Sequence, residues 1–495
     1  MEEQLELLKK VNEQLRFQLE AQGELIRAMT LQLRNQAEQL EKQSAKIDEL
    51  LKKIEELTHK KNSRNSSAPP SSDSYAKPAP KSQRKSTGAK PGGQDGHTGS
   101  SMKLMKEPDE IREHYPQACS GCPSREHCHG SIVERRYESD IIVESRLVEH
   151  RQMVCRCPMA ENKTLIGEFP KNITGTKQYG NNLKAFAAAL STVGMVSIDR
   201  IHELLTGVFD ISVSTGSIQN WITHLSSSTK DAVQRIREQI SRLSVLNCDE
   251  TGMRVNGSLH WLHCVCDENW SYFALHKKRG SKAMDEIDVL PGFRNTMVHD
   301  FWKPYYKYDR AVHGICNAHI MRELVYAQEQ KHQNWAKSMQ DLLIEIQESR
   351  NILMAQKETS FQALVLEAYR LRYDSIIQQG MAENPAPQKP KGKRGRTGKG
   401  KILCLLERLR DYKGDILRFA ADWTVPFTNN EAERTIRFSK VKQKVSCCFR
   451  TEKGAQDYMQ IMSFVSTARK HGMSYFEAVR AALAGNALTL VAQWR

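Results

Sequence analysis

Three carboxylates stand out among the chain's 58 acids: Asp249, Asp300 and Glu433. Asp249 closes the short apolar run SVLNCD and Asp300 closes TMVHD, so each reads as the last residue of a buried-type strand. Glu433 falls in TNNEAERTIRFSKVKQK, a helical segment with Arg434, Arg437 and Lys440 at +1, +4 and +7. The last two positions share the helix face of the glutamate. Carboxylates are hard oxygen donors that hold Mg2+ or Mn2+ while leaving part of the ion's shell open. A pair of such ions about 3.5–4 Å apart activates an attacking oxygen and stabilises a leaving one in phosphodiester chemistry. The neighbouring cations would take nucleic-acid phosphates. An isolated acid carries no such meaning, since most are solvated surface; the strand and helix contexts carry it.

The elements around these residues agree. After Arg242, SVLNCDETGMRVN, SLHWLHCVCDE and WSYFALHKKR read as three strands with turns between them. A helix, SKAMDEIDVLPGF, and the strand TMVHD follow. This β-β-β-α-β order is how ribonuclease-H-like sheets set two carboxylates side by side at one edge. The 132 residues between Asp300 and Glu433 exceed what one strand and one helix need. Helical patterns over Ile320–Gln356 and Ser360–Gln378 predict an inserted helical subdomain. It ends in NPAPQKPKGKRGRTGKGK, with seven positive and no negative charges from Lys389 onward. Within it, Lys393, Arg394 and Arg396 are candidate phosphate contacts.

Upstream, Asn182–Thr192 and Val196–Val208 read as helices, and Phe209–Ser212 as a turn. In STGSIQNWITHL, Ser214 or Thr215 can cap a further helix exposing Ser217, Gln219 and Asn220. That matches a DNA-reading helix-turn-helix, although many three-helix bundles share the pattern. Cys119-x2-Cys122 and, after 32 intervening residues, Cys155-x-Cys157 flank the strand-like Ser139–Val154. Four thiolates in two close pairs can converge on one tetrahedral Zn2+, a structural ion that would stabilise a region with little core of its own. His127, Cys128 and His129 lie in the same loop as substitute ligands, and plain structural thiols are the alternative. Cys264-x-Cys266 sits in an apolar strand and reads as core.

Residues 1–58 carry eight heptads. Leu5, Asn12, Leu19, Ile26, Leu33, Leu40, Ile47 and Ile54 share one position. Leu8, Leu15, Gln22, Met29, Gln36, Gln43, Leu50 and Leu57 share the partner position. This predicts a coiled coil that associates copies of the chain, with Asn12 setting register; a long helix packed on its own chain is the alternative. Residues 60–106 hold ten Lys/Arg against Asp73 and Asp95 and lack periodicity. They read as a flexible basic linker, either touching DNA or merely a solvated tether.

The whole chain of 495 residues carries 73 Lys+Arg against 58 Asp+Glu, a formal +15, which points to a polyanionic partner. No apolar run approaches the ~18 residues of a membrane span, and the acidic, amphipathic start does not read as a secretory signal. A reduced, cytoplasmic setting is expected for the twelve cysteines.

The ordered stretches KKNSRNSSAPPSSD, AKPGGQDGHTGS, the cysteine pairs, LNCDETGMRVNG, VHDFWKPYYKY, CNAHIMREL and NNEAERTIR are recognisable. Through them the chain resembles, over nearly its whole length, the insertion-sequence-66 group of bacterial transposases. The resemblance implies a DDE transposase, cutting and joining DNA at terminal inverted repeats with Mg2+ or Mn2+ and without a covalent enzyme intermediate. Its three acids fall on Asp249, Asp300 and Glu433; Glu431 is the neighbour not chosen, and Glu250 points to the other strand face. Cys316 and His319 match a Cys-x2-His signature of several DDE groups, with packing near the active site as the favoured role. Double-stranded element and target DNA, at least a dimer and accessory proteins of the same element are the partners implied, in the bacterial nucleoid.

The expected fold is multidomain α+β. It comprises a coiled coil (1–58), basic linker (59–108), zinc-binding module (109–172) and helix-turn-helix-like domain (173–240). A ribonuclease-H-like core (241–325 and 411–470) is interrupted by a helical insertion with a basic loop (326–410) and followed by a C-terminal helix or tail (471–495). The competing function is a non-catalytic DNA-binding regulator, which explains positions 1–230 equally well but not the recurring acids.

Overall fold

The computed structural model describes residues 2–58, 107–117, 122–123, 131–139, 141, 144–157, 163–170, 172–387 and 399–494. The chain divides into two compact units, one of residues 1–77 and 316–423, the other of residues 78–315 and 424–495.

Helix α1 (Glu2–Thr58) runs unbroken for 57 residues, as expected of a segment free of Pro. Its heptad residues Leu15, Ile26, Met29, Leu33, Leu40, Ile47 and Leu50 stay 47–65% exposed. Strands β1 (Val154–Cys157) and β2 (Lys163–Ile166) form an antiparallel hairpin. Among the described residues of Ser139–Met153 no strand forms, where one was expected over Ser139–Val154. These residues are irregular, and pairing begins at Val154, where β2 supplies an edge.

Four helices follow: α2 (Asn181–Thr192), α3 (Ile198–Phe209), α4 (Thr215–Ser228) and α5 (Lys230–Ile240). The Ser197 side chain accepts from Arg200 N–H and so starts α3 two residues later than its apolar pattern suggests. Asp210, in the left-handed region at φ 52°, ends it, and Ser214 caps α4 by accepting from Ser217 N–H at 3.0 Å.

Strands β3 (Val245–Val255), β4 (Ser258–Cys266) and β5 (Ser271–His276) then form the expected antiparallel meander. After α6 (Ser281–Ile287), β6 (Thr296–His299) and β7 (Val312–Ile315) add in parallel, giving one mixed sheet in the order β5-β4-β3-β6-β7.

Six helices, α7 (Asn317–Lys331), α8 (Asn334–Ala355), α9 (Ala363–Glu383), α10 (Lys401–Asp411), α11 (Lys413–Ile416) and α12 (Arg418–Ala421), belong with α1 to the unit of residues 1–77 and 316–423. The continuous helix expected over Ile320–Gln356 is broken, because His332 takes a left-handed conformation at φ 52°. Trp335 and Tyr373 are fully buried, and Tyr373 donates to the Leu409 carbonyl at 2.9 Å. A Cβ on Gly380 would lie 2.9 Å from Trp335 and 2.5 Å from Leu406, so only glycine permits this approach of α9.

The chain returns to the sheet-bearing unit with α13 (Asn430–Ile436), α14 (Phe438–Ser446), α15 (Glu452–Lys470), α16 (Tyr475–Leu483) and α17 (Ala487–Gln493). Leu246, Cys248, Val265 and Met297 pack from one sheet face against residues of α2–α5 and α15–α17 in a single hydrophobic cluster. Met253, Leu262, Cys264, Cys266 and Phe273 pack from the other face against Ala432 and Ile436 of α13 and Tyr458, Met459 and Met462 of α15. Cys264 and Cys266 are thus core residues, as their apolar strand implied.

Candidate active site

Alternation along β3 decides which acid faces which layer. Leu246, Cys248 and Glu250 fall on one face, and Asn247, Asp249, Thr251 and Met253 on the other, the face covered by α13. Asp249 is not a strand end. It sits mid-strand, because the buried alternation continues through Met253 and Val255 and pairs with β4 throughout. Asp300 does follow the last residue of β6. In the parallel pair, Val245, Leu246 and Asn247 lie beside Thr296, Met297 and Val298. Asp249 and Asp300 each lie two residues beyond the last pair of that ladder, and the Asp300 charge bears on Asp249. Glu433 lies one residue after Ala432, which is packed on the same sheet face.

The charges respond to this grouping. Burial pushes the Asp249 carboxyl well above the usual carboxylate range, and the charges of Glu250, Asp300 and Glu433 push it further. Glu250 N–H, donating to Asp249 Oδ1 at 2.9 Å, opposes the shift. Asp300 is raised to about 6, by burial first and then by the charge of Glu250, against the Trp302 N–H that donates to its Oδ1 at 3.1 Å. Negative charges gathered out of water repel, and each favours the neighbour's neutral form. No trio containing both aspartates brings all its ligand atoms within 4.8 Å among the described residues, so the carboxylates are grouped without converging on one point.

The neighbouring acids are committed elsewhere. Glu250 is held by Arg279, and Glu431 accepts from Lys470 Nζ at 2.9 Å. Lys440 donates to the Gly252 carbonyl of β3 at 3.0 Å and feels the charge of Asp249. Arg437 lies at the joint between α13 and α14, where the predicted single helix is interrupted; it and Arg434 are exposed.

On α4, Gln219 and Asn220 are exposed and Ser217 is half-buried, its hydroxyl 3.0 Å from that of Ser214. Cys155 and Cys157 stand two residues apart in β1, and Cys155 and Cys122 are exposed. Cys119, the alternatives His127, Cys128 and His129, and the loop residues Lys393, Arg394 and Arg396 lie outside the described residues. Cys316 precedes α7 and its carbonyl accepts from His319 N–H at 3.2 Å. Burial lowers the His319 imidazole to about 4.

Sequence reasoning assigned no role to Asn429. It is 2% exposed and bonds through its side chain to Asn247 and to the Cys248 carbonyl, the two residues before Asp249. The signal available was its place at the head of NNEAER, the block that also carries Glu433.

Residues 176–457 match the model of the Transposase IS66 family, and residues 4–103 match a Family of unknown function (DUF6444). No curated protein matches the chain. The family implies a nucleic-acid-processing enzyme. Since the first match spans more than half of the sequence, the chain belongs to the IS66 family of transposases, and DNA is its partner. Among the described residues no helix is long and apolar enough to cross a membrane.

Proposed function

We propose that this protein is a DDE-type polynucleotidyl transferase that hydrolyses and rejoins DNA phosphodiesters at the terminal inverted repeats of its element. The observation that carries the reading is that the charges of Asp300 and Glu433 both bear on the buried Asp249 carboxyl and push it up. Buried like charges cost stability unless a cation answers them, and oxygen-only donors suit Mg2+ or Mn2+. The three carboxylates would hold such ions, which supply nucleophile activation and leaving-group stabilisation when bound. Asp249 and Asp300 approach from adjacent strands and Glu433 from α13, so the rigid sheet sets the spacing of the donors. Burial keeps water from screening them. Arg434 and Arg437, exposed beside Glu433, would take DNA phosphates, with Lys440 of α14, tied to the Gly252 carbonyl of β3, supporting them.

The sheet order and the strand-borne acids support a ribonuclease-H-like core interrupted by the helical unit. In α3–α4, Ser217, Gln219 and Asn220 would read DNA as a helix-turn-helix. The basic loop with Lys393, Arg394 and Arg396 would contact the backbone, and the exposed heptad residues of α1 would pair copies of the chain as a coiled coil. Cys119, Cys122, Cys155 and Cys157 would hold a structural Zn2+. Accessory proteins of the same element and a place on the bacterial nucleoid complete the reading.

Incubation of the full-length protein with labelled terminal-repeat DNA and Mg2+ tests it, with any accessory proteins of the element added. Nicking that disappears in Asp249→Ala is the expected result. Nicking that persists in Asp249→Ala, or never appears, overturns it.

A further inference from the structure

Asn429 immediately precedes α13, and asparagine at such a position ordinarily caps its own helix through its side-chain oxygen. Here the side chain makes no cap bond and is turned onto β3. Its Nδ2 donates to the Cys248 carbonyl at 2.6 Å, and its Oδ1 accepts from Asn247 Nδ2 at 2.9 Å. The neighbours dictate this orientation. A carbonyl only accepts, so it must face the NH2 of Asn429; the remaining oxygen then requires the NH2 of Asn247. The main-chain carbonyl of Asn429 accepts from Glu433 N–H at 3.2 Å. A path of hydrogen bonds therefore runs from the residue before Asp249, through one side chain, to the backbone of Glu433.

Two buried primary amides are a poor choice for stability alone, because their desolvation cancels most of what their bonds return. They do fix one helix to one strand at a defined register, and they add no charge to a site already crowded with negative ones. We propose that Asn429 and Asn247 are positioning residues for metal binding: together they lock α13 onto β3 so that Glu433 meets Asp249 and Asp300 at the right spacing. The inference rests on the carboxylate reading above and adds to it the device that assembles the site.

The test uses the full-length protein in two assays, calorimetric titration with Mn2+ and DNA nicking at saturating and subsaturating DNA, with Asp249→Asn as reference. Asn429→Ala is expected to lower Mn2+ affinity and the rate at saturating DNA by roughly 10–100-fold, the range for residues that orient metal ligands, with KM for DNA unchanged. Asn247→Ala, which removes one of the two bonds, should move both readouts in the same direction by less. The double variant should be no worse than Asn429→Ala alone, as expected of residues acting as a unit.

If Asn429→Ala fails to fold, Asn247→Ala carries the same test. A folded variant with wild-type Mn2+ affinity and rate, while Asp249→Asn has lost both, overturns the lock and leaves the carboxylate reading standing. Wild-type Mn2+ binding and nicking in Asp249→Asn itself would overturn the reading, and the lock with it.

Discussion

Two adjacent acids of β3 face opposite sides of the sheet and meet opposite surroundings. The Glu250 side chain is 2% exposed and fully answered. Arg279 donates to it at 2.9 and 2.6 Å, Tyr305 donates at 2.5 Å, and the guanidinium lies 4.1 and 4.8 Å from the rings of Trp302 and Trp261. Asp249 is buried under the influence of three further acids, and the lysine that feels its charge is bonded to a backbone carbonyl. A buried charge with its partners in place holds a fold together; buried like charges without a matching cation are retained at a cost and mark a site.

The largest expected effect separates the two acids by sign. Asp249→Asn should reduce DNA nicking to background, yet raise the thermal midpoint of the metal-free protein at pH 7, because a repelling charge is removed from the cluster. A lower midpoint would place Asp249 with Glu250 as a structural acid. Glu250→Gln should do the reverse and destabilise by about 2–3 kcal/mol in chemical denaturation. That is somewhat below the ~3–5 kcal/mol for breaking a fully buried pair, since the Arg279 side chain stays 37% exposed. An unchanged midpoint would remove the contrast.

Titration sharpens it further. With its pKa raised to about 6, Asp300 binds more protons in the folded than in the unfolded chain between about pH 4 and 6. The metal-free protein should therefore lose stability as pH rises through that window, on the order of 2 kcal/mol from this group. Asp300→Asn should flatten this part of the profile, and an identical slope in the variant would refute the assignment. The smallest effect concerns the basic loop. Neutralising Lys393, Arg394 and Arg396 together should reduce the salt dependence of DNA binding by about three phosphate equivalents, and an unchanged slope would move the loop off the DNA.

Much of the site could be read in the sequence because single strands and helices carry their own signals. TMVHD ends where its apolar run ends, so Asp300 at a strand end was legible. The meander was legible from its turns. Asp249 was misplaced at a strand end because the contiguous apolar run stops there, whereas the alternation through Met253 and Val255 continues the strand. The break at His332 left no Gly or Pro to announce it. Ser139–Val154 alternates well enough for a strand, but strands exist only in pairs, and among its described residues the ladder with β2 begins only at Val154. Asn429 was invisible as a tie because its partners, Asn247 and Cys248, lie about 180 residues away in the chain.

Proton release on metal binding tests the central claim most directly. Carboxyls held above their usual range must give up protons when a divalent cation binds them. Calorimetric titration with Mn2+ at pH 6, in two buffers of different ionisation enthalpy, should register such a release in the wild-type chain and its loss in Asp249→Asn, Asp300→Asn and Glu433→Gln. Binding with no proton exchange, or a release that survives all three substitutions, would contradict it.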